Sequence, residues 1–224
     1  MPASIHGLMV RAMLKLYLHP LSSYCHKVLI ALYENATPFE PVMVDGTTRA
    51  EFRKLWPLGK FPLLWDEARQ QTVPESSIII EYLALHYPGA VPLIPADPDA
   101  ARQVRMRDRF FDLYLHTPMQ KLPEDRMRPA DRRDPYGLEQ ARRAYRKALD
   151  MLEQDLIGNT WAMGEMFTMA DCAAAPALCY GERFFGPFAT THPRTASYLG
   201  RLMARPSYAR VLNEAKPYMH LLPA

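Results

Sequence analysis

From residue 13 onward the apolar positions alternate between two repeats. Lys15-Leu16-Tyr17-Leu18 reads as a short strand stopped by His19-Pro20. Cys25, Val28, Leu29 and Leu32 follow at i, i+3, i+4 and i+7, the stripe of an amphipathic helix. Phe39 to Val44 predicts a second strand and Arg49 to Leu55 a short helix. Pro62-Leu63-Leu64-Trp65 and Gln71-Thr72-Val73 form a hairpin pattern around Asp66-Glu67, and Ile79, Tyr82, Leu83 and His86 line a third helix ended by Pro88-Gly89. Strand, helix, strand, helix, strand, strand, helix is an α/β layer, assigned to residues 13–90.

Beyond Pro88 the strand pattern disappears. Pro92, Pro95 and Pro98 make residues 91–99 a stiff linker, and residues 100–224 read as all-helical. Met106, Phe110 and Leu113 mark one helix there. Leu138, Ala141, Tyr145, Ala148, Leu152 and Leu156 mark a second, an Ala-rich third starts near Thr168, and shorter ones follow Pro193 and Pro206. Residues 1–12 carry too short an apolar stretch for a signal peptide and read as an N-terminal tail, with Met13 an alternative start.

Composition narrows the function. Of 224 residues 49% are hydrophobic and 23% charged, which suits a folded chain with a core. A net charge of +3 gives no nucleic-acid footprint, and the basic stretch Arg126 to Lys147 is broken by Asp131, Asp134 and Glu139 into a solvated surface. No run of about 18 apolar residues occurs, so no membrane span is expected. Three cysteines without a CxxC spacing exclude a disulfide framework and fit a reducing, cytoplasmic compartment. Seven histidines without HExxH or paired spacing give no metal site, and no GxGxxG or GxxxxGK cradles a nucleotide.

Three segments combine chemistry-bearing residues with element boundaries. In His19-Pro20-Leu21-Ser22-Ser23-Tyr24-Cys25, Ser22 stands where a strand gives way to a helix. Helix N-termini favour anions such as thiolates, so Ser22 reads either as an N-cap, the reading favoured by the segment alone, or as a hydroxyl donor to a bound thiolate. In Gly59-Lys60-Phe61-Pro62, a cis bond before Pro62 would leave the Phe61 N–H and C=O free to pair with a peptide; a trans proline opening an edge strand is the alternative. Pro74-Glu75-Ser76 opens another helix: a hydroxyl with free N–H groups suits a carboxylate and Glu75 an ammonium, or the pair simply caps the helix. Cys25 lies on an apolar helix face, and Cys172 and Cys179 on the Ala-rich helix, where a thiol is buried and inert.

These segments, in this order, resemble the cytosolic glutathione S-transferase family, in the bacterial type with serine at the catalytic position. The resemblance covers nearly the whole chain from Met13. It implies a thioredoxin-like domain followed by an all-helical domain, with glutathione as co-substrate and no metal. Ser22 matches the catalytic position, Phe61-Pro62 the cis-proline that binds the cysteinyl backbone, Lys60 a ligand-facing position, and Glu75-Ser76 the pair that holds the γ-glutamyl group. Trp56-Pro57 departs from the Asn-Pro common in the family. Tyr17 matches a tyrosine used by other classes and reads here as core. Ser22-Ser23-Tyr24-Cys25 also looks like a glutaredoxin site without its first cysteine, which argues against dithiol chemistry. Gly164-Glu165-Met166-Phe167-Thr168-Met169-Ala170-Asp171 resembles the family's capping box, a folding element.

The function so implied is conjugation of the glutathione thiolate to a small apolar electrophile in a detoxification role, with Tyr114, Met119 and Tyr180 as candidates for the second substrate. A non-catalytic interaction module of the same fold is the alternative. The resemblance further implies a homodimer, with modest support from the segment Arg102 to Leu115, where Val104, Met106, Phe110 and Phe111 spread over more than one helix face.

Overall fold

The computed structural model describes residues 13–223, so the expected tail at residues 1–12 lies outside the described residues. Strand β1 (Leu14–Leu18) buries Leu14, Leu16 and Leu18 and leaves Lys15 and Tyr17 on the other face. Ser22 caps α1 (Ser23–Glu34), after which the chain returns as β2 (Phe39–Met43), parallel to β1. Helix α2 (Arg49–Leu55) leads to the hairpin of β3 (Leu63–Asp66) and β4 (Gln71–Pro74), and α3 (Ser76–His86) closes the layer. β3 runs antiparallel to β1 with Leu16 opposite Leu64, giving the order β2-β1-β3-β4. This small mixed sheet with its helices is the thioredoxin-like layer that the resemblance implies.

The second half is helical: α4 (Pro98–Phe110), α5 (Thr117–Arg126), α6 (Pro135–Asp155), α7 (Met169–Phe185), α8 (Pro193–Ala204) and α9 (Pro206–Ala215). The Ala-rich α7 is buried along nearly its whole length, and its small side chains admit α1 from the first half. At its start Asp171 completes a capping box: one carboxylate oxygen takes the Thr168 N–H at 2.8 Å, and the other takes the Ala162 N–H at 2.8 Å and the Tyr198 hydroxyl at 2.6 Å. Two further ties cross between the halves. Arg205 grips Glu34 with two bonds of 2.6 Å, joined by the Ser207 hydroxyl, and Asn35 exchanges bonds with both backbone groups of Val91.

One expected face is corrected. Met106 and Leu113, read as marking the core side with Phe110, are each 53% exposed, whereas Ala101, Val104, Asp108, Phe111 and Leu115 are buried. Between α4 and α5 the segment Phe111–His116 widens, with the Thr117 N–H bonding five residues back to Asp112. Pro118 has no N–H to offer the Tyr114 carbonyl one turn earlier, a regular cause of such a loosened turn. Three of the positions turned inward here, Asp108, Asp112 and His116, are polar, so no apolar repeat reports them.

They face inward to meet Lys27 of α1, whose side chain is 0% exposed. Its ammonium contacts Asp108 at 2.6 Å, Asp112 at 2.9 Å and the Ser77 hydroxyl of α3 at 2.8 Å. Arg109 reaches the same group from the rim, bonding Asp108 at 2.9 Å, Asp112 at 2.5 Å and Ser77. A buried ammonium is tolerable only when its N–H groups and charge are matched, as these are. Removing one partner of such a group leaves uncompensated charge behind. Lys27→Met is therefore expected to cost roughly 3–5 kcal/mol in urea unfolding, well beyond its lost contacts. A loss under about 1 kcal/mol would show that the carboxylates are relieved by water or protons instead.

Candidate active site

Two helix starts and one loop converge on a cleft between the halves. α1 begins at Ser22, whose Oγ accepts the Cys25 N–H at 3.3 Å. Accepting that bond leaves the hydroxyl's own proton free to donate. α3 begins at Glu75, whose φ of 70° and ψ of 120° are rare for any residue with a side chain. Such a backbone stores about 1–3 kcal/mol and is held by its surroundings, here between β4 and the first turn of α3. Gly59, at φ +63°, turns the loop that carries Lys60, and the Phe61–Pro62 peptide is cis.

Lys60, Phe61, Pro62, Glu75 and Ser76 all line one cavity of about 410 Å³. Its remaining walls are Tyr24, Trp56 and, from the helical half, Arg109, Asp112, Leu113, Thr117 and Gln120. Ser22 is half-buried at the start of α1 and is not part of this lining; Tyr24, two residues on, is. Trp56, noted in sequence only as a departure, forms part of the wall. Arg109, Asp112, Leu113, Thr117 and Gln120 were not singled out. The available clue was Lys27, a cation inside a helix of otherwise apolar character, which requires acidic partners from elsewhere in the chain.

The second-substrate candidates do not come together. Tyr180 is buried and donates its hydroxyl to the Leu21 carbonyl at 3.0 Å, and Met119 is 2% exposed in the core. Tyr114 is exposed and faces an apolar groove between α4 and α6 with Met106, Leu113 and Met151. None of the three lines the cavity that holds Glu75 and Ser76, because the widened turn rotates Leu113 and Thr117 to that position instead. Cys25 is fully buried, and burial pushes its thiol up to about 12. Tyr17 packs on Phe52 with ring centroids 5.7 Å apart. Among the described residues no cluster could hold a metal ion, and no helix is long and apolar enough to cross a membrane.

Comparison with known proteins agrees with this layout. Residues 16–91 match the model of the glutathione S-transferase N-terminal domain, and residues 121–206 that of the C-terminal domain. The chain is 30% identical over 212 residues to glutathione S-transferase 3 of Zea mays, covering 90% of this chain and 94% of that protein. It is 27% identical over 209 residues to a stringent starvation protein A homolog of Histophilus somni, covering 92% and 93%. A solved structure, a glutathione S-transferase of Methylobacterium radiotolerans in complex with glutathione sulfonate, superposes with a TM-score of 0.78 at 31% identity, covering 89% of this chain and 94% of that one.

Tyr24 stacks on His116 at 4.2 Å between ring centroids, and burial holds the phenol up at about 12, so it stays protonated. His116 itself is fully buried, and burial together with the Lys27 charge depresses it to about 3; burial likewise depresses His26 to about 4. Between pH 6.5 and about 4 the unfolded chain therefore binds protons that the folded chain does not, and stability falls as pH falls through that window. Each histidine contributes a slope of about 1.4 kcal/mol per pH unit. His116→Phe, which keeps a ring against Tyr24, is expected to flatten the profile by that amount in urea unfolding at pH 6.5, 5.5 and 4.5. An unchanged slope would mean that His116 takes up a proton in the folded state.

Proposed function

The chain belongs to the glutathione S-transferase family, and we propose on that premise that it binds glutathione in the cleft described above and adds its thiolate to a small electrophile. The observation that carries this reading is that one cavity gathers Lys60, Phe61, Pro62, Glu75 and Ser76 from three separate stretches of chain. The γ-glutamyl head is a zwitterion: Glu75 faces its ammonium, and the Ser76 hydroxyl and N–H its carboxylate. Phe61 pairs with the cysteinyl backbone and Lys60 balances the glycine carboxylate. This arrangement directs the sulfur toward the N-terminus of α1. There the helix dipole and the Ser22 hydroxyl stabilise the thiolate over a thiol whose ordinary pKa is about 8.5. The electrophile rests on Leu113, Thr117 and Gln120, and no covalent enzyme intermediate is needed.

Similarity to stringent starvation protein A homologs supports a second reading, a non-catalytic interaction module. Thiolate absorbance of bound glutathione separates the two. In the wild type the bound thiol is expected to titrate below its free value, and in Ser22→Ala it returns toward that value with binding retained. Glu75→Ala is expected to weaken binding about tenfold or more, against no change for the hairpin carboxylate in Glu67→Ala. Absence of glutathione binding by the wild type would favour the interaction module.

The apolar groove of Met106, Leu113, Tyr114 and Met151, continued on α3 by the exposed Ile78 and Leu85, supports a homodimer through this face. The two-faced apolarity noted around Arg102 to Leu115 then divides: Val104, Phe110 and Phe111 serve the chain's own core and Met106 the partner. Sedimentation at micromolar concentration is expected to give twice the chain mass. Met106→Glu should shift the species to the chain mass; a wild type already at that mass would overturn the dimer.

A further inference from the structure

The γ-glutamyl end of the cleft carries one acidic side chain from α3 and a wall from the helical half that is mostly polar. Burying a zwitterionic head needs a cation for the carboxylate as well as an anion for the ammonium, because a carboxylate facing only a neutral hydroxyl and an N–H keeps part of its desolvation cost. Lys60 lies on the loop before Phe61. Arg109 lines the same cavity and donates through Nη2 to the hydroxyl of Ser77, the residue next to Ser76.

We infer that Arg109 is the cation that receives the α-carboxylate of the γ-glutamyl head, and that Lys27, Asp108 and Asp112 hold it in place; the inference rests on the glutathione reading above. The guanidinium is fixed along one edge. Nε and Nη2 bond Asp108 at 3.2 and 2.9 Å, and Nη2 also bonds Asp112 at 2.5 Å. Among the described residues Nη1 has no hydrogen-bond partner, and half of the side chain is accessible while Asp108 beneath it is 1% exposed. One edge of a planar fork is thus locked into the protein and the other is presented to the cavity. This is how an arginine binds a carboxylate with little further loss of freedom.

Charge balance supports the assignment. Lys27 and Arg109 together match Asp108 and Asp112 one for one, so the buried group is neutral and the cavity-facing edge of Arg109 is not called on by a further carboxylate of the protein. The first-half motif residues and the helical half would then grip the same end of the ligand from opposite sides.

The test compares glutathione with its analogue lacking only the α-carboxylate, 4-aminobutyryl-cysteinyl-glycine, by titration calorimetry. Wild type is expected to bind glutathione roughly 10- to 100-fold more tightly than the analogue, the range of a charge-assisted hydrogen bond. Arg109→Gln should weaken glutathione by a similar factor and leave the analogue unchanged. Arg109→Lys keeps the charge that Asp108 and Asp112 need but lacks the second edge; it should remain folded and show the same selective loss, so it carries the test if the glutamine variant does not fold. Equal weakening of both ligands, or no change in either, overturns the assignment of Arg109 while leaving glutathione binding intact. Failure of the wild type to bind either ligand overturns the glutathione reading and this inference with it.

Discussion

The docking of the two halves depends on a single ammonium removed from water. Lys27 is carried into the interior by an apolar helix, and three groups from two other helices close around it at 2.6 to 2.9 Å. An apolar contact between α1, α3 and α4 would tolerate a small slide. A point charge with three short contacts does not, since any displacement strands a carboxylate as well as the cation. Asp108 and Asp112 demand a second cation in turn, and Arg109 supplies it from the rim. The polar wall of the cleft follows from satisfying Lys27.

The other side of the cleft depends on backbone. The sheet holds the starts of α1 and α3 and the cis Phe61–Pro62 turn on rigid elements, and the unusual dihedrals at Glu75 are confined to the one residue that joins β4 to α3. A carboxylate placed by strained main chain has less freedom to swing away than one on a loop tip. The cavity therefore combines a wall placed by main-chain geometry with a wall placed by charge, and each wall belongs to a different half of the chain.

This division explains what could be read in the sequence. The α/β half announces itself through period-two and period-3.6 repeats, and β1, α1, α2 and the β3–β4 hairpin fall where those repeats place them. Lys60, Phe61, Pro62, Glu75 and Ser76 were legible because each sits at an element boundary, and boundaries carry Pro, Gly and Ser. Arg109, Asp112, Thr117 and Gln120 were not, because they lie within a continuous helical run where charge ordinarily means solvent. The reading of Met106 and Leu113 as core failed for the same reason: the true inward stripe contains Asp108, Asp112 and His116, and a hydropathy pattern assigns such residues to the surface. Tyr114, Met119 and Tyr180 were chosen as large side chains in the helical half without knowledge of helical phase.

Phase is set by the loosened turn at Phe111–His116. A regular helix advances about 100° per residue, so holding one more residue in that turn re-aims everything downstream by about that angle. Removing one residue between Phe111 and His116 would shorten the chain by 1.5 Å along the axis, which the loop before α6 can absorb. It would also exchange the cavity-facing side of α5 for the side now packed in the core, bringing Met119 and Leu122 toward water and Thr117 and Gln120 toward the interior. Length polymorphism in this helix is thus far more restricted than in the exposed stretch 127–134, where an added residue changes no facing direction.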